Sequence, residues 1–172
     1  MYLETVLKAL LLAILMTLSQ AVVAEPNIVT IPGQGWNLVV DTPPLTSSEG
    51  TNKDGRFRFV GADTQYGITF SIFTEDLENG SNVQCRDKYW AKTKENPYII
   101  KESVELFETP IMLGVTYHVA GMYMGQPYKT ANSHGYFVKN GKCVDLHVSQ
   151  IPYTDEARKV VEAIVTTAKV MQ

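Results

Sequence analysis

The sequence predicts an α+β domain: a mostly antiparallel sheet of about six strands with a helix on each face, an α/β/α sandwich. Three observations carry that prediction. Short β-favouring runs recur along the chain between turn residues, and two of them flank Asn140-Gly141, the strongest short-range hairpin signal. Two helical patterns stand among them, one after Ser81 and one after Thr154. The only two cysteines, Cys85 and Cys143, link the first helical segment to the second arm of the hairpin.

The opening residues belong to no element of that sheet. Residues 1–24 read as a secretory signal peptide, leaving 25–172 as one globular domain. The uncharged run Ala9–Leu18 has the length of a signal h-region and falls short of the roughly 20 residues that span a bilayer. Val22-Val23-Ala24 supplies small residues for cleavage after Ala24, and Ser19-Gln20-Ala21 offers a second acceptable site. The n-region carries Glu4 beside Lys8, so its charge is only weakly positive; an uncleaved anchor is the alternative. No cysteine lies near the cleavage sites, which excludes a lipid anchor there.

After a polar lead-in over 25–34, Trp36–Val40 reads as a strand stopped by Pro43-Pro44, and Leu45–Gly55 reads as a mobile loop by composition. Phe57–Gly61 and Gly67–Phe73 read as the next two strands. Ser81-Asn82-Val83-Gln84 matches a capping box opening a helix to about Lys94, stopped at Asn96-Pro97. Strands follow over Tyr98–Phe107, Met112–Met124, Gly135–Lys139 and Lys142–Gln150. In the last of these Val144, Leu146 and Val148 share one face, and Cys143, Asp145 and His147 the other. Thr154 caps a final helix with Asp155 and Glu156 in its first turn, where the helix dipole favours acids. Its stripe of Ala157, Val160, Val161, Ile164, Val165 and Ala168 must cover a sheet.

In an oxidising compartment the isolated pair Cys85 and Cys143 forms a disulfide. Bridged Cα atoms lie about 4.4–6.8 Å apart, so the first helix must cover the Cys143 face, leaving the Val144 face to the terminal helix.

The order of a Trp-strand-Pro opening (Gly35-Trp36 through Pro43-Pro44), the 81–94 helix, the hairpin within Tyr136–Val148 and the Asp155–Val170 helix resembles the Mog1/PsbP-type sandwich. The resemblance spans nearly all of the mature chain as a pattern of elements, without a motif that transfers a functional residue. The cysteine pair is no part of it. The resemblance implies a non-catalytic binding or assembly factor, as photosystem extrinsic subunits, a Ran-binding protein and bacterial envelope proteins are.

Composition excludes some chemistry. The net charge of −3 has no basic block, so the electrostatic footprint of a nucleic-acid binder is missing. No G-x-S-x-G is present, and Ser133 beside His134 is only a sequence neighbour. Asp145 and His147, with His118, form the one set worth weighing as metal ligands, against paired polar residues at a sheet edge. The expectation is no enzyme, no metal and no cofactor. Met122, Tyr123, Met124 and Tyr128, near Met112 and Pro127, form the candidate partner surface, because Met and Tyr are favoured at interfaces. The sequence thus predicts a periplasmic or secreted accessory protein that engages another envelope protein. An immunity or inhibitor protein and a carrier of a small apolar ligand are the rivals.

Overall fold

The computed structural model describes residues 24–172. The predicted leader, up to Val23, lies outside the described residues, and Ala24 is exposed. The chain forms strands β1 (Glu25–Thr30), β2 (Asn37–Thr42), β3 (Ser47–Lys53), β4 (Arg56–Asp63) and β5 (Ile68–Asp76), then helix α1 (Asn82–Thr93). Strands β6 (Ile99–Glu108), β7 (Leu113–Tyr123), β8 (Gln126–Lys139) and β9 (Lys142–Gln150) follow, then helix α2 (Asp155–Thr167) and strand β10 (Lys169–Met171). Seven strands make one sheet in the order β3-β4-β5-β9-β8-β7-β6, and three make another in the order β1-β2-β10. Every pairing is antiparallel.

The α+β class and the antiparallel pairing match the sequence expectation; the strand count does not. Among the described residues, ten strands in two sheets replace a single sheet of about six. The missed strands share a cause: each lies at a sheet edge, where alternation has little to bury. Residues 47–53 are exposed throughout and carry no apolar side chain, yet they pair with β4 across Asp54-Gly55. Residues 25–30 contain Pro26, which an edge strand tolerates because one side of its backbone needs no partner. The terminal helix was expected to run to Val170, but the chain turns extended at Ala168 (ψ 142°) and its last residues pair with β2.

The apolar residues divide into two clusters. The larger joins Phe70, Ile72, Val144, Leu146 and Val148 of the large sheet to Val161, Ile164 and Val165 of α2 and Trp36, Leu38 and Val40 around β2. Register explains the layer: Phe70 faces Val148 and Ile72 faces Leu146, so both strands turn the same parity inward. Each of these side chains contributes roughly 1.5–3 kcal/mol by leaving water. Val160, counted in the predicted stripe, stands 37% exposed, so the buried stripe is narrower than the sequence suggested.

The smaller cluster lies under α1 and contains Cys85, Val115, Tyr117, Tyr136 and Cys143, with Tyr89 and Trp90 against it. Helix α1 begins with the capping box expected of it: the Ser81 N–H donates to Gln84 Oε1 at 2.8 Å, and the Gln84 N–H donates to Ser81 Oγ at 3.3 Å. Cys85 is the helix's one fully buried residue. The Cys85–Cys143 disulfide, with Cα atoms 5.4 Å apart, and Asn82, which bonds both Ile111 and Val138 backbone, hold α1 to the sheet.

Candidate functional site

Two places concentrate chemistry. The first is a polar row beneath α1. The Asn140-Gly141 turn pairs Lys139 with Lys142, and counting back along both arms sets His134 directly opposite His147 and Tyr136 opposite Asp145. The two imidazoles stack with centroids 4.1 Å apart and planes 6° apart. His134 Nδ1 lies 2.7 Å from Asp145 Oδ1, and His134 Nε2 lies 3.0 Å from the Tyr117 hydroxyl. A carboxylate only accepts, so Nδ1 carries the proton, and in the neutral ring Nε2 accepts from the Tyr117 O–H. His147 Nε2 donates to Asn132 Oδ1 at 3.1 Å, since the Asn132 amide nitrogen is turned to Thr130.

Electrostatics follow from burial around one anion. Withdrawal from water, then the neighbouring Asp145 charge, push the hydroxyls of Tyr117 and Tyr136 far above the ordinary tyrosine range. Burial, reinforced by the facing His134, holds His147 well below the usual histidine value. Both ring nitrogens of His134 are engaged, and His134, Tyr117 and Asp145 are all buried, with Trp90 of α1 against the Tyr117 ring. His134, Tyr117 and Asp145 thus satisfy one another, while the buried Tyr136 hydroxyl beside them has no hydrogen-bond partner among the described residues.

The metal-ligand set weighed from the sequence is not brought together. His118 lies elsewhere, its ring 4.1 Å from that of Tyr153, and burial with Lys129 and Arg158 nearby lowers its pKa. The partner of Asp145 is His134, a residue outside the metal-ligand set weighed from the sequence. Its signal was available: once Asn140-Gly141 is taken as a two-residue turn, residues equidistant from it must face each other, and 134 faces 147. Among the described residues no group of three His, Cys, Asp or Glu side chains converges to hold a metal ion.

The second place is the tip of the β7–β8 hairpin. Met122, Tyr123 and Met124 stand there 64%, 71% and 87% exposed. Tyr123 pairs with Gln126, so the turn consists of Met124 and Gly125, with φ of 48° and 78°. Tyr128 is half-buried and folds its ring back over Gly121, where a Cβ would meet it at 3.0 Å. It buttresses the tip and does not share its exposure.

Compared with models of protein families and with curated protein sequences, the chain has no match. Among solved structures, cyanobacterial PsbP (CyanoP) from Synechocystis sp. PCC 6803 superposes with a TM-score of 0.53, covering 88% of this chain and 95% of its own at 9% identity. The fold is of the PsbP/Mog1 type. LpqN, described as involved in cell envelope biogenesis of Mycobacterium tuberculosis, aligns over 87% of this chain and 92% of its own at 9% identity and a TM-score of 0.49. A protein from Bacteroides thetaiotaomicron VPI-5482 aligns over 78% of this chain and 45% of its own, at 11% identity and a TM-score of 0.43. A PsbP-type scaffold at this identity establishes architecture; the function has to come from what this chain builds on it.

Proposed function

We propose that this protein is an exported, non-enzymatic accessory protein of the cell envelope, and that it engages a partner protein through the β7–β8 hairpin tip. The observation that carries the reading is the choice of Met124. Three hairpins of the large sheet use two-residue turns with both φ angles positive: Asp54-Gly55, Asn140-Gly141 and Met124-Gly125. The first two place Asp and Asn at the leading position, the residues that tolerate left-handed backbone and belong in such turns. The third places a long apolar side chain there and leaves it 87% exposed. A local rule broken without a local gain points to a use outside the fold. From Val119 to Tyr128 the hairpin carries no charge, and a flexible thioether beside an aromatic ring suits a partner's apolar groove.

Export rests on the leader-like first 24 residues and on the disulfide, which fits an oxidising compartment. The seven-stranded sheet is read as carrying α1 and α2 on opposite faces, a reading supported by the parity that separates Cys143 and Asp145 from Val144, Leu146 and Val148 and by the two apolar clusters.

The deciding experiment is affinity capture from the native envelope fraction with wild type and Met124→Asn. Asn relieves the turn, so the variant should be at least as stable as wild type while losing a stoichiometric partner. Undiminished capture by a Met124→Asn, Tyr123→Ser variant would remove the hairpin from the function.

A second reading has its own observation. A cavity of about 360 Å³ opens between α2 and the sheets, lined by Tyr66, Ile68, Val160 and Ile164, and would suit a carrier of a small apolar ligand. Native mass spectrometry of the protein purified from its own envelope distinguishes the two, because a carrier retains a bound mass.

A further inference from the structure

Helix α1 packs mainly on β7, β8 and β9, and among the ion pairs of the described residues only Lys88–Glu75 ties it to the β3-β4-β5 side of the large sheet. Between that side and the flank of α1 runs an open cleft of about 700 Å³ whose walls include Lys53, Arg56, Arg58, Phe73 and Tyr89. Its cations are arranged against local preference. Lys53 is the direct cross-strand partner of Arg56, and like charges so placed repel. Arg56 and Arg58 point to the same sheet face, two residues apart on β4.

The Asn140-Gly141 hairpin poses the same problem with Lys139 opposite Lys142, and there Asp76 relieves it at 2.6 Å from Lys142 Nζ. In the cleft no such relief occurs. Glu75 lines it, but its carboxylate is taken by Lys88 at 3.1 Å. Asp54 lies on the rim at the turn. Among the described residues neither Arg56 nor Arg58 forms an ion pair. Arg58 is nonetheless held in place, its guanidinium 5.7 Å above the centre of the Phe73 ring. A guanidinium stacked on an aromatic face keeps its N–H fork free and loses less freedom on binding.

We propose that this cleft binds an organic oxyanion, a phosphate or carboxylate attached to an apolar or aromatic body. Arg56 and Arg58 grip the anion through paired N–H donors, as guanidinium forks grip planar and tetrahedral oxyanions. The body lies against the part of the cleft wall that Phe73 and Tyr89 line. This site is separate from the hairpin tip and does not depend on the reading given for it.

The test is calorimetric titration of the folded, disulfide-bonded protein with phenyl phosphate and with inorganic phosphate, alongside co-sedimentation with phosphatidylcholine vesicles with and without phosphatidylglycerol. Both arginines are exposed, so Arg56→Gln and Arg58→Gln leave the fold intact; Lys169→Gln, on the small sheet, controls for net charge. Phenyl phosphate should bind saturably, at least tenfold more tightly than inorganic phosphate, and each arginine variant should weaken it at least tenfold while Lys169→Gln does not. Binding only to phosphatidylglycerol vesicles, and lost in both arginine variants, would assign the oxyanion to a lipid headgroup and uphold the site. Binding to neither probe, survival of binding in the arginine variants, equal loss in Lys169→Gln, or equal affinity for the two phosphates would overturn the proposal.

Discussion

Replacing both cysteines, Cys85→Ala with Cys143→Ala, tests how the fold is held. The bridge closes a loop with a sequence separation of 58, for which the chain-entropy model gives about 4 kcal/mol of stabilisation at 25 °C. For a domain of about 150 residues, where each kcal/mol moves Tm by roughly 2–4 °C, that corresponds to a fall of roughly 8–16 °C. The loss has a local component as well. Helix α1 buries only Cys85 fully, so without the bridge its attachment rests on Asn82 and the half-buried Tyr89 and Trp90. Amide exchange in α1 should therefore accelerate well before that of β8 and β9. Thermal unfolding followed by circular dichroism gives the first quantity and hydrogen exchange the second. In the unsubstituted protein both sulfurs are fully buried, so a thiol reagent should label neither cysteine until the chain is unfolded and reduced. A Tm change under 3 °C in a folded variant, or two labels per native chain without reductant, would refute the reasoning.

Other perturbations test other contacts. Gly67→Ala should cost more than 2 kcal/mol in urea unfolding, because φ is +64° and the new methyl would strike the Ile151 carbonyl; Gly125→Ala, at φ +78° with open space around it, should cost only about 1–2 kcal/mol. Asp145→Ala leaves the buried His134 Nδ1–H without an acceptor and should cost about 1–3 kcal/mol, while Asp145→Asn, which keeps an oxygen there, should cost less. Stability should fall with acid below the ordinary histidine range near 6.5. His147 and His118 both have folded pKa values depressed below their unfolded ones, so the unfolded chain binds more protons and gains population as pH falls from the unfolded towards the folded value. Urea titrations at pH 7.5 and 5.5 should show a gap that shrinks in His147→Gln, and an unchanged gap would contradict the burial assigned to that ring.

Much of the central architecture was legible because its signals are local. The capping box at Ser81, the cap at Thr154, the Asn140-Gly141 turn and the Val144/Leu146/Val148 alternation each declare an element without reference to the rest of the chain. The cysteine pair then joined two of those elements. What escaped was set by partners far away in sequence. Strand β3 is polar on both faces, and β10 is three residues long, so only their neighbours make them strands. At the candidate sites, Met122 to Met124 were legible as composition, but the turn at Met124-Gly125 was hidden because Met does not announce left-handed backbone. The arginine cleft was illegible for a different reason. Arg56 and Arg58 look like an ordinary solvated strand face until the positions of Lys88, Lys142 and their acids show which charges remain uncompensated.

The three-stranded sheet also fixes an order of events. Strand β2 forms near the start of the domain, but its second neighbour is β10, paired through Val39 and Lys169 at a separation of about 130 residues. Closing so long a loop is slow compared with forming the β8–β9 hairpin, whose arms meet across two residues. Until the chain has been made and delivered through Met171, β2 keeps an open edge, with Trp36, Leu38 and Val40 lacking the terminal helix they pack against. A chain handed across a membrane from its amino end would thus travel with its first strands unfinished. During that interval the open edge of β2 would be available for pairing with a neighbour.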